Sequence, residues 1–332
     1  MLRYLLRRLL GVVVIMWLVS MITFFIFFMV PKALGSNPAV LFAGRSPSAE
    51  LLADVTKRLG LDKPLLQQYG AYAKGIVFGR DFSNGPDVDH CPPPCLGYSF
   101  KNNTPVFQEI MSDLPVTISE AVGAAVLWLF FGVSIGILSA LRKGTIFDRV
   151  AMGVALAGVS LPIYFTGLLA LSYVSYQWNL LPDVHYVGIT ENPISWARNL
   201  LLIWICLAFL YAALYARLTR ASMLETMNED YVRTARAKGL AESTVIRRHA
   251  LRSTLTPIVT IFGLDIGALL GGAVLTEQTF GFHGIGKLSL EAIANQDLPV
   301  VLGVTVFAAF FIVVANLVVD LLYAFIDPRV TF

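Results

Sequence analysis

Long runs of apolar residues divide this 332-residue chain at a spacing that suits a lipid bilayer. A transmembrane helix needs roughly 20 consecutive apolar residues. Six runs reach that length, at about residues 9–30, 115–141, 147–176, 196–216, 255–275 and 299–325. The pattern therefore predicts an all-α polytopic membrane protein with six transmembrane helices.

Positive charges concentrate in alternate loops between these runs. One set of segments carries Arg3, Arg7 and Arg8, then Arg142, Lys143 and Arg149, then the basic residues of 217–254, then Arg329. The short loops of the other set hold only Arg198 and Lys287. Because loops rich in Lys and Arg face the cytoplasm, both termini are predicted to be cytoplasmic. The long loop 31–113 is then extracytoplasmic, and its length exempts it from the charge rule.

Four regions follow from this arrangement. Residues 1–30 form a basic N-terminus and the first helix, and residues 31–113 form the extracytoplasmic loop. Residues 114–325 form a core of five transmembrane helices, interrupted by the charged loop 217–254. Residues 326–332 form a cytoplasmic tail.

Composition excludes a soluble protein and reveals no catalytic constellation. Hydrophobic residues make up 56% of the chain and charged residues 14%, whereas soluble domains are nearer a quarter charged. Residues 281–287 imitate a phosphate-binding loop, but Leu288 replaces the Ser or Thr that holds Mg²⁺. No β-strand precedes this loop, and the predicted topology places it outside, away from ATP. The sequence also lacks His-Glu-x-x-His and paired carboxylates in a plausible cleft, so no enzyme activity, cofactor or metal site is predicted for the chain.

The long loop contains two distinct patterns. Residues 47–78 carry apolar residues at helical spacing, which predicts two short amphipathic helices. These helices either lie against the membrane and the other helices or form a small cap without a recognition role. Residues 84–104 form an insertion rich in Pro, Gly and Asn.

Cys91 and Cys95 flank three prolines in that insertion. An oxidising environment outside the membrane favours a disulfide between them. An extended polyproline path would hold the two Cα atoms about 12 Å apart at roughly 3.1 Å per residue, and a disulfide tolerates at most about 7 Å. The bridge therefore requires a turn within the prolines. A metal site with His90 is the weaker alternative, because no second pair of ligands is visible.

Two residues inside the predicted helices, Pro162 and Asp265, each allow two structural or functional interpretations. Pro162, with glycines nearby, predicts a kinked helix, or small residues that only pack closely. Asp265 lies midway along the fifth span, where an ionisable group is costly. It either lines a path or gate, or makes a structural hydrogen bond to a neighbouring helix. Glu120 and Asp320 lie near span ends and are expected to reach water or backbone.

The charged segment from Asp230 to Pro257 separates two apolar runs, and it contains a helix, a break at Gly239 and a second helix. Gly suits the break because it adopts positive φ without a Cβ penalty. The segment is either a docking element or a plain loop held inside by its charge. Ala235 and Gly239, spaced with Arg233 and Thr234, resemble the EAA loop of ABC importer permeases.

The sequence resembles the oligopeptide/dipeptide (peptide/nickel) branch of that family, and its first permease subunit in particular. The residues that carry this resemblance are Tyr231 to Gly239, followed by His249-Ala-Leu and Pro257. Arg233 stands where the generic motif has Glu, and Thr234 where it has Ala. The resemblance extends to the Arg-rich start, the loop 276–288 and Asp327-Pro328-Arg329, and so covers nearly the whole chain.

This resemblance implies a type I importer permease that forms half of a translocation path for peptides or related solutes. The implied partners are a second homologous permease subunit, cytoplasmic ATPases that use ATP and Mg²⁺, and an extracytoplasmic substrate-binding protein. The implied ATPase-coupling residues are Arg233, Thr234, Ala235, Arg236, Lys238, Gly239, Arg247, His249 and Pro257. Glu277 and His283 are hypothesised to contact the binding protein.

The cargo is left open among dipeptides, oligopeptides, nickel complexes, glutathione and haem-like compounds. A different class of function is a stand-alone secondary transporter that uses Asp265 as an ion site. Inverted repeats would support that class, but the two halves of the sequence show no convincing repeat.

Overall fold

A computed structural model describes residues 2–33, 35, 39–40, 48–84, 87–181 and 185–326 of the chain. Helices account for most of this part, and their bounds are α1 Leu2–Ala33, α2 Ala49–Leu59, α3 Leu65–Phe78, α4 Val106–Leu141, α5 Ile146–Ser160, α6 Ile163–Gln177, α7 Pro193–Thr226, α8 Asp230–Ala237, α9 Glu242–Leu270, α10 Val274–Phe280, α11 Ile285–Asn295 and α12 Leu298–Ile326. Two antiparallel hairpins lie between α3 and α4. They are β1 Arg80–Asn84 with β2 Asp87–Cys91, and β3 Tyr98–Ser99 with β4 Thr104–Pro105.

Five helices of the described residues are long and apolar enough to cross a membrane, namely α1, α4, α7, α9 and α12. The pair α5 and α6 passes the same test jointly, which gives up to six spans. These findings confirm the predicted all-α polytopic architecture. Apart from Ile326, the predicted tail 326–332 lies outside the described residues.

The third predicted span is broken rather than gently kinked. Helices α5 and α6 meet at an angle of 99°, with Leu161 extended and Pro162 at the start of α6. Proline has no N–H to donate and restricts the residue before it to extended conformations. Helix α4, in contrast, continues through Pro115.

The chain divides into two compact units, which cut across the regions predicted from sequence. The first unit comprises Met1–Thr117, Leu270–Val274 and His283–Val314. Aromatic rings of α1 and α3 pack together in it: Phe24 stacks on Phe28 and on Tyr72. A second cluster joins α4 to α11 and α12.

The hairpins of the first unit surround a disulfide. Cys91 and Cys95 are bridged, with their Cα atoms 5.6 Å apart, which lies inside the range that a disulfide accepts. Phe82, Tyr98 and the two cysteines form a small buried cluster. The insertion therefore has a core of its own, which the polar composition of residues 84–104 does not suggest.

Removing this disulfide should loosen the hairpins. Closing so short a loop restricts the unfolded chain by roughly 2 kcal/mol, so Cys91→Ser with Cys95→Ser should speed proteolytic cleavage within residues 80–105. Reductant should produce the same faster cleavage in the unsubstituted chain and add nothing to the double variant. Equal cleavage rates for oxidised and reduced chains would contradict the prediction.

The second unit comprises Ile118–Leu269, Leu275–Phe282 and Ala315–Phe332. Helices α4 and α7 lie so close that glycines are required between them. A Cβ added at Gly132 would lie 2.9 Å from the Ala212 oxygen, and one at Gly136 would lie 2.6 Å from the Ala216 oxygen. Such close helix contacts are typical of membrane proteins, where small residues line the interface.

Ser119 on α4 receives two indole hydrogen bonds in the same unit. Trp196 donates through Nε1 to the Ser119 hydroxyl at 3.1 Å, and Trp204 donates to the Ser119 carbonyl at 2.9 Å. A Cβ at Gly123 would overlap the Trp204 ring. Position 123 thus makes room for the indole that position 119 holds.

Candidate coupling segment and neighbouring polar sites

Residues 230–250, called the coupling segment below, form a helix, a tight turn and a second helix. Helix α8 ends at Ala237, and Gly239 adopts φ +75°. The Gly239 N–H donates to the Arg236 carbonyl at 2.9 Å, and Lys238 donates to Thr234 at 3.0 Å. The turn therefore satisfies backbone groups that the end of α8 leaves open, and the break lies where the sequence predicts it.

One face of the coupling segment is packed and the other is exposed. Val232, Ala235 and Val245 are buried together against Met227. The Tyr231 hydroxyl donates to the Ser253 hydroxyl at 2.9 Å. The predicted coupling residues on the exposed face are Arg233, Thr234, Arg236, Lys238, Gly239 and Arg247. The buried face, which carries Val232, Ala235 and Val245, holds the exposed face in position.

Three of the predicted coupling residues belong to the supporting structure. Ala235 is buried, and its small side chain lets α8 approach its neighbours. His249 and Pro257 are half-buried in α9, with Pro257 inside the helix. Their positions suit a role in holding the segment rather than in surface contact.

Arg236 spans the turn instead of pointing only outward. Its Nη2 lies 2.7 Å from Glu242 Oε1, and its Nε lies 3.1 Å from Oε2. These hydrogen bonds to Glu242 raise the pKa of Arg236 above its already high value. Because the pair is exposed, it contributes at most about 1 kcal/mol. It bridges the turn between α8 and the start of α9.

The coupling segment joins the spans through a second buried cluster. Ala140 at the end of α4, Met223 near the end of α7, and Ala250 in α9 pack together, with Ile246 against them. The Thr254 hydroxyl also lies 3.3 Å from the Met223 sulfur. The segment therefore packs directly against the end of α7.

A buried ion pair that the sequence did not reveal lies one turn earlier on α7. Arg220 donates through Nε to Asp148 Oδ1 at 2.6 Å and through Nη2 to Oδ2 at 2.9 Å. Ser139 also donates to Oδ1, and the Gly144 N–H donates to Oδ2 at 2.9 Å. In the sequence, Arg220 is only one of the basic residues that predict a cytoplasmic loop at 217–254. The one feature of the sequence that indicates such a pair is Asp148, the single acidic residue between the basic residues Arg142, Lys143 and Arg149.

Asp265 makes the structural contact that the sequence left open as one of two readings. The Tyr215 hydroxyl donates to Asp265 Oδ2 at 2.8 Å, which links α9 to α7. The carboxylate is half-buried. A role of Asp265 in the translocation path stays a prediction.

The two residues predicted to contact the binding protein, Glu277 and His283, differ in exposure. Glu277 was expected to contact an external protein, but its side chain is completely buried. The prediction that Glu277 contacts an external protein is therefore wrong, because its carboxylate is buried. His283, proposed for the same contact, is exposed. The two residues do not form one exposed patch.

Glu120 was expected to reach water or backbone near a span end, and that expectation is also wrong. Its side chain is fully buried, and neither carboxylate oxygen has a hydrogen-bond partner among the described residues. Glu277 lies near enough for electrostatic interaction with it. An ionised carboxylate without partners is expensive inside a membrane protein.

Replacing Glu120 by glutamine should therefore leave the melting temperature of the detergent-solubilised protein equal or higher. Glutamine keeps the shape of the side chain and removes the charge. Glu225→Gln, at an exposed position on α7, is the matched control and should have no effect. A drop of several degrees for Glu120→Gln alone would show that the ionised carboxylate stabilises the fold.

Two family matches together cover almost the whole chain. Residues 132–332 match "Binding-protein-dependent transport system inner membrane component", and residues 1–121 match the N-terminal region of such membrane components. The dipeptide transport system permease protein DppB of Escherichia coli (strain K12) is 36% identical, over 99% of each chain. DppB of Alkalihalophilus pseudofirmus is 35% identical, over the full length of both chains.

These relatives are named as permease proteins, which confirms the prediction that this chain is a translocation subunit rather than an enzyme. The matches and the apolar helices together identify a multi-pass inner-membrane protein. The chain therefore belongs to the family of inner membrane components of binding-protein-dependent transport systems, the permeases of ABC importers.

Proposed function

We propose that this chain is a permease subunit of an ATP-driven importer for peptides or related small solutes. The full-length similarity to two dipeptide permeases supports this cargo class. The stand-alone secondary transporter receives no support from any relative named above. The hydrogen bond that occupies Asp265 also gives no indication of an ion site.

The proposed assembly contains a second homologous permease subunit, two cytoplasmic ATPase subunits that use ATP and Mg²⁺, and an extracytoplasmic binding protein. The family description itself names dependence on a binding protein. In the proposed orientation both termini and the coupling segment are cytoplasmic, because positive charges concentrate on that side.

The coupling segment is proposed to dock on an ATPase through its exposed basic face. The observation that carries this role is the opposition of its two faces. Val232, Ala235 and Val245 anchor one face to the spans, while Arg233, Lys238 and Arg247 are exposed on the segment. A rigidly anchored helix pair transmits force instead of absorbing it. Closure of the ATPase dimer then shifts one bistable element, which ATP and substrate both bias.

The hairpins at residues 80–105 are proposed to lie on the side of the binding protein. Asp81 and His90 form an exposed cross-strand pair in the first hairpin, with Oδ1 and Nδ1 2.6 Å apart. The disulfide and its small core give the insertion stiffness. His283 remains a candidate contact for the same partner. Unchanged docking and uptake after deletion of residues 84–104 would remove this part of the proposal.

The test is recovery of partners from membranes through a tag on this chain. The unsubstituted chain should bring down an ATPase and a second permease. Arg233→Gln, Lys238→Gln and Arg247→Gln combined should lose most of the ATPase. The matched control replaces Arg142, Lys143 and Arg149 by glutamine and should retain it. Recovery of the chain alone, with uptake driven by an ion gradient, would favour the secondary transporter.

A further inference from the structure

We propose that Asp148 and Arg220 are positioning residues for transport, which carry movement of the coupling segment into the α4–α5 turn and the bent pair α5–α6. The inference rests on the proposed docking of the coupling segment on an ATPase. It assigns a role to an ion pair that the coupling residues themselves do not include.

The geometry of the pair suits transmission of force. Both carboxylate oxygens of Asp148 receive Arg220, so the two side chains are held in distance and in orientation. Asp148 is only 4% exposed. Ser139 on α4 and Gly144 in the turn bind the same carboxylate. One carboxylate thereby ties α4, the turn after it, α5 and α7 together.

The position of Arg220 connects this joint to the coupling segment. Met223 follows Arg220 by three residues on α7, a rise of about 4.5 Å. Met223 is buried against Ile246 and Ala250 of the coupling segment. The Ser222 hydroxyl donates to the Thr254 carbonyl at 3.3 Å between the same two helices. The end of α7 is thus held by the coupling segment on one turn and by Asp148 on the next.

The chemistry of the pair explains why a positive charge is placed here. A guanidinium binds a carboxylate through two parallel hydrogen bonds, whereas an ammonium binds it as a point charge without fixed orientation. Apolar packing at this place would hold the helices together but would allow them to slide. Loss of either partner leaves a buried charge uncompensated, which is strongly unfavourable. Helices α5 and α7 therefore move together as long as the Asp148–Arg220 pair is intact.

Arg220→Lys is the informative variant, since it keeps the charge and loses the two-pronged contact. The complete complex, reconstituted in liposomes with its ATPases and its ligand-loaded binding protein, is assayed for uptake and ATP hydrolysis per assembled complex. Uptake per ATP hydrolysed should fall about tenfold or more while the amount of assembled complex stays unchanged. Ser139→Ala, which removes one contact, should give a smaller fall. Arg217→Lys, at an exposed position on the same helix, should leave the ratio unaltered.

Two results would overturn the inference. In one, Arg220→Lys and Asp148→Asn retain the uptake per ATP of the unsubstituted complex. In the other, uptake and hydrolysis both decline only in proportion to lost complex, which assigns the pair to folding. An unsubstituted chain that recruits no ATPase contradicts the proposed function instead, so the two failures are distinguishable.

Discussion

Gly239→Pro should abolish ATP-driven uptake, with a loss of at least about tenfold, while the chain still inserts in the membrane. Proline fixes φ near −65° and has no N–H, whereas Gly239 has φ +75° and donates to the Arg236 carbonyl. The turn cannot form, so the exposed face of α8 loses its orientation relative to α9. Uptake into membrane vesicles, normalised to the amount of inserted chain, measures the effect.

Two further substitutions at Gly239 separate backbone strain from crowding. No heavy atom lies within 4 Å of a Cβ built there, so any penalty is conformational. Alanine in the left-handed region costs roughly 1–2 kcal/mol, and asparagine visits that region more readily. Uptake should therefore decrease in the order Gly, Asn, Ala, Pro. Full uptake by the Pro variant would show that the turn does not serve coupling.

Gly136→Ala should destabilise the second unit markedly. The added methyl carbon would lie 2.6 Å from the Ala216 carbonyl oxygen, and 2.5 Å from Thr219 Cβ. A carbonyl in the middle of α7 cannot move aside, so α4 and α7 must separate. Forced separation of packed elements costs typically about 1–3 kcal/mol or more. The measurement is the temperature at which the detergent-solubilised protein loses its monodisperse peak in size-exclusion chromatography.

Gly153→Ala is the matched control for that experiment. Gly153 lies in the span-forming helix α5, and nothing lies within 4 Å of a Cβ built there. Alanine is a better helix former than glycine by up to about 1 kcal/mol, so this variant should be neutral or slightly stabilised. The two alanines therefore act in opposite directions. Equal melting temperatures would indicate that α4 and α7 are not in close contact in the membrane.

Much of the fold follows from the apolar runs alone. Runs long enough to span a bilayer leave the backbone few alternatives to a helix, so α1, α4, α7, α9 and α12 could be placed from sequence. The break at Gly239 was also visible, because a glycine between two charged amphipathic turns has an evident conformational reason. The angle at Pro162 was not, since proline predicts a disturbance but the surrounding packing sets its size.

The polar interior was the part that the sequence concealed. Asp148 and Arg220 are 72 residues apart, and no local pattern pairs an acid with a distant base. Glu277 follows a predicted span end, which suggested exposure, but the short helix α10 buries it. For Glu120 the same kind of reasoning failed, because α4 begins at Val106, well before the predicted start of the span. Depth along a helix depends on where the helix begins, and apolar runs define that point poorly.

The two indoles that share Ser119 also constrain how this region diverges among relatives. Replacing Ser119 by alanine leaves the Trp204 contact with the carbonyl intact but deprives Trp196 of its acceptor. A lineage that loses the serine is therefore expected to lose the tryptophan at 196 while it keeps the one at 204. A glycine at 123 should persist only as long as the indole at 204 does. Paired substitutions at 119 with 196, and at 123 with 204, would record this packing across the family.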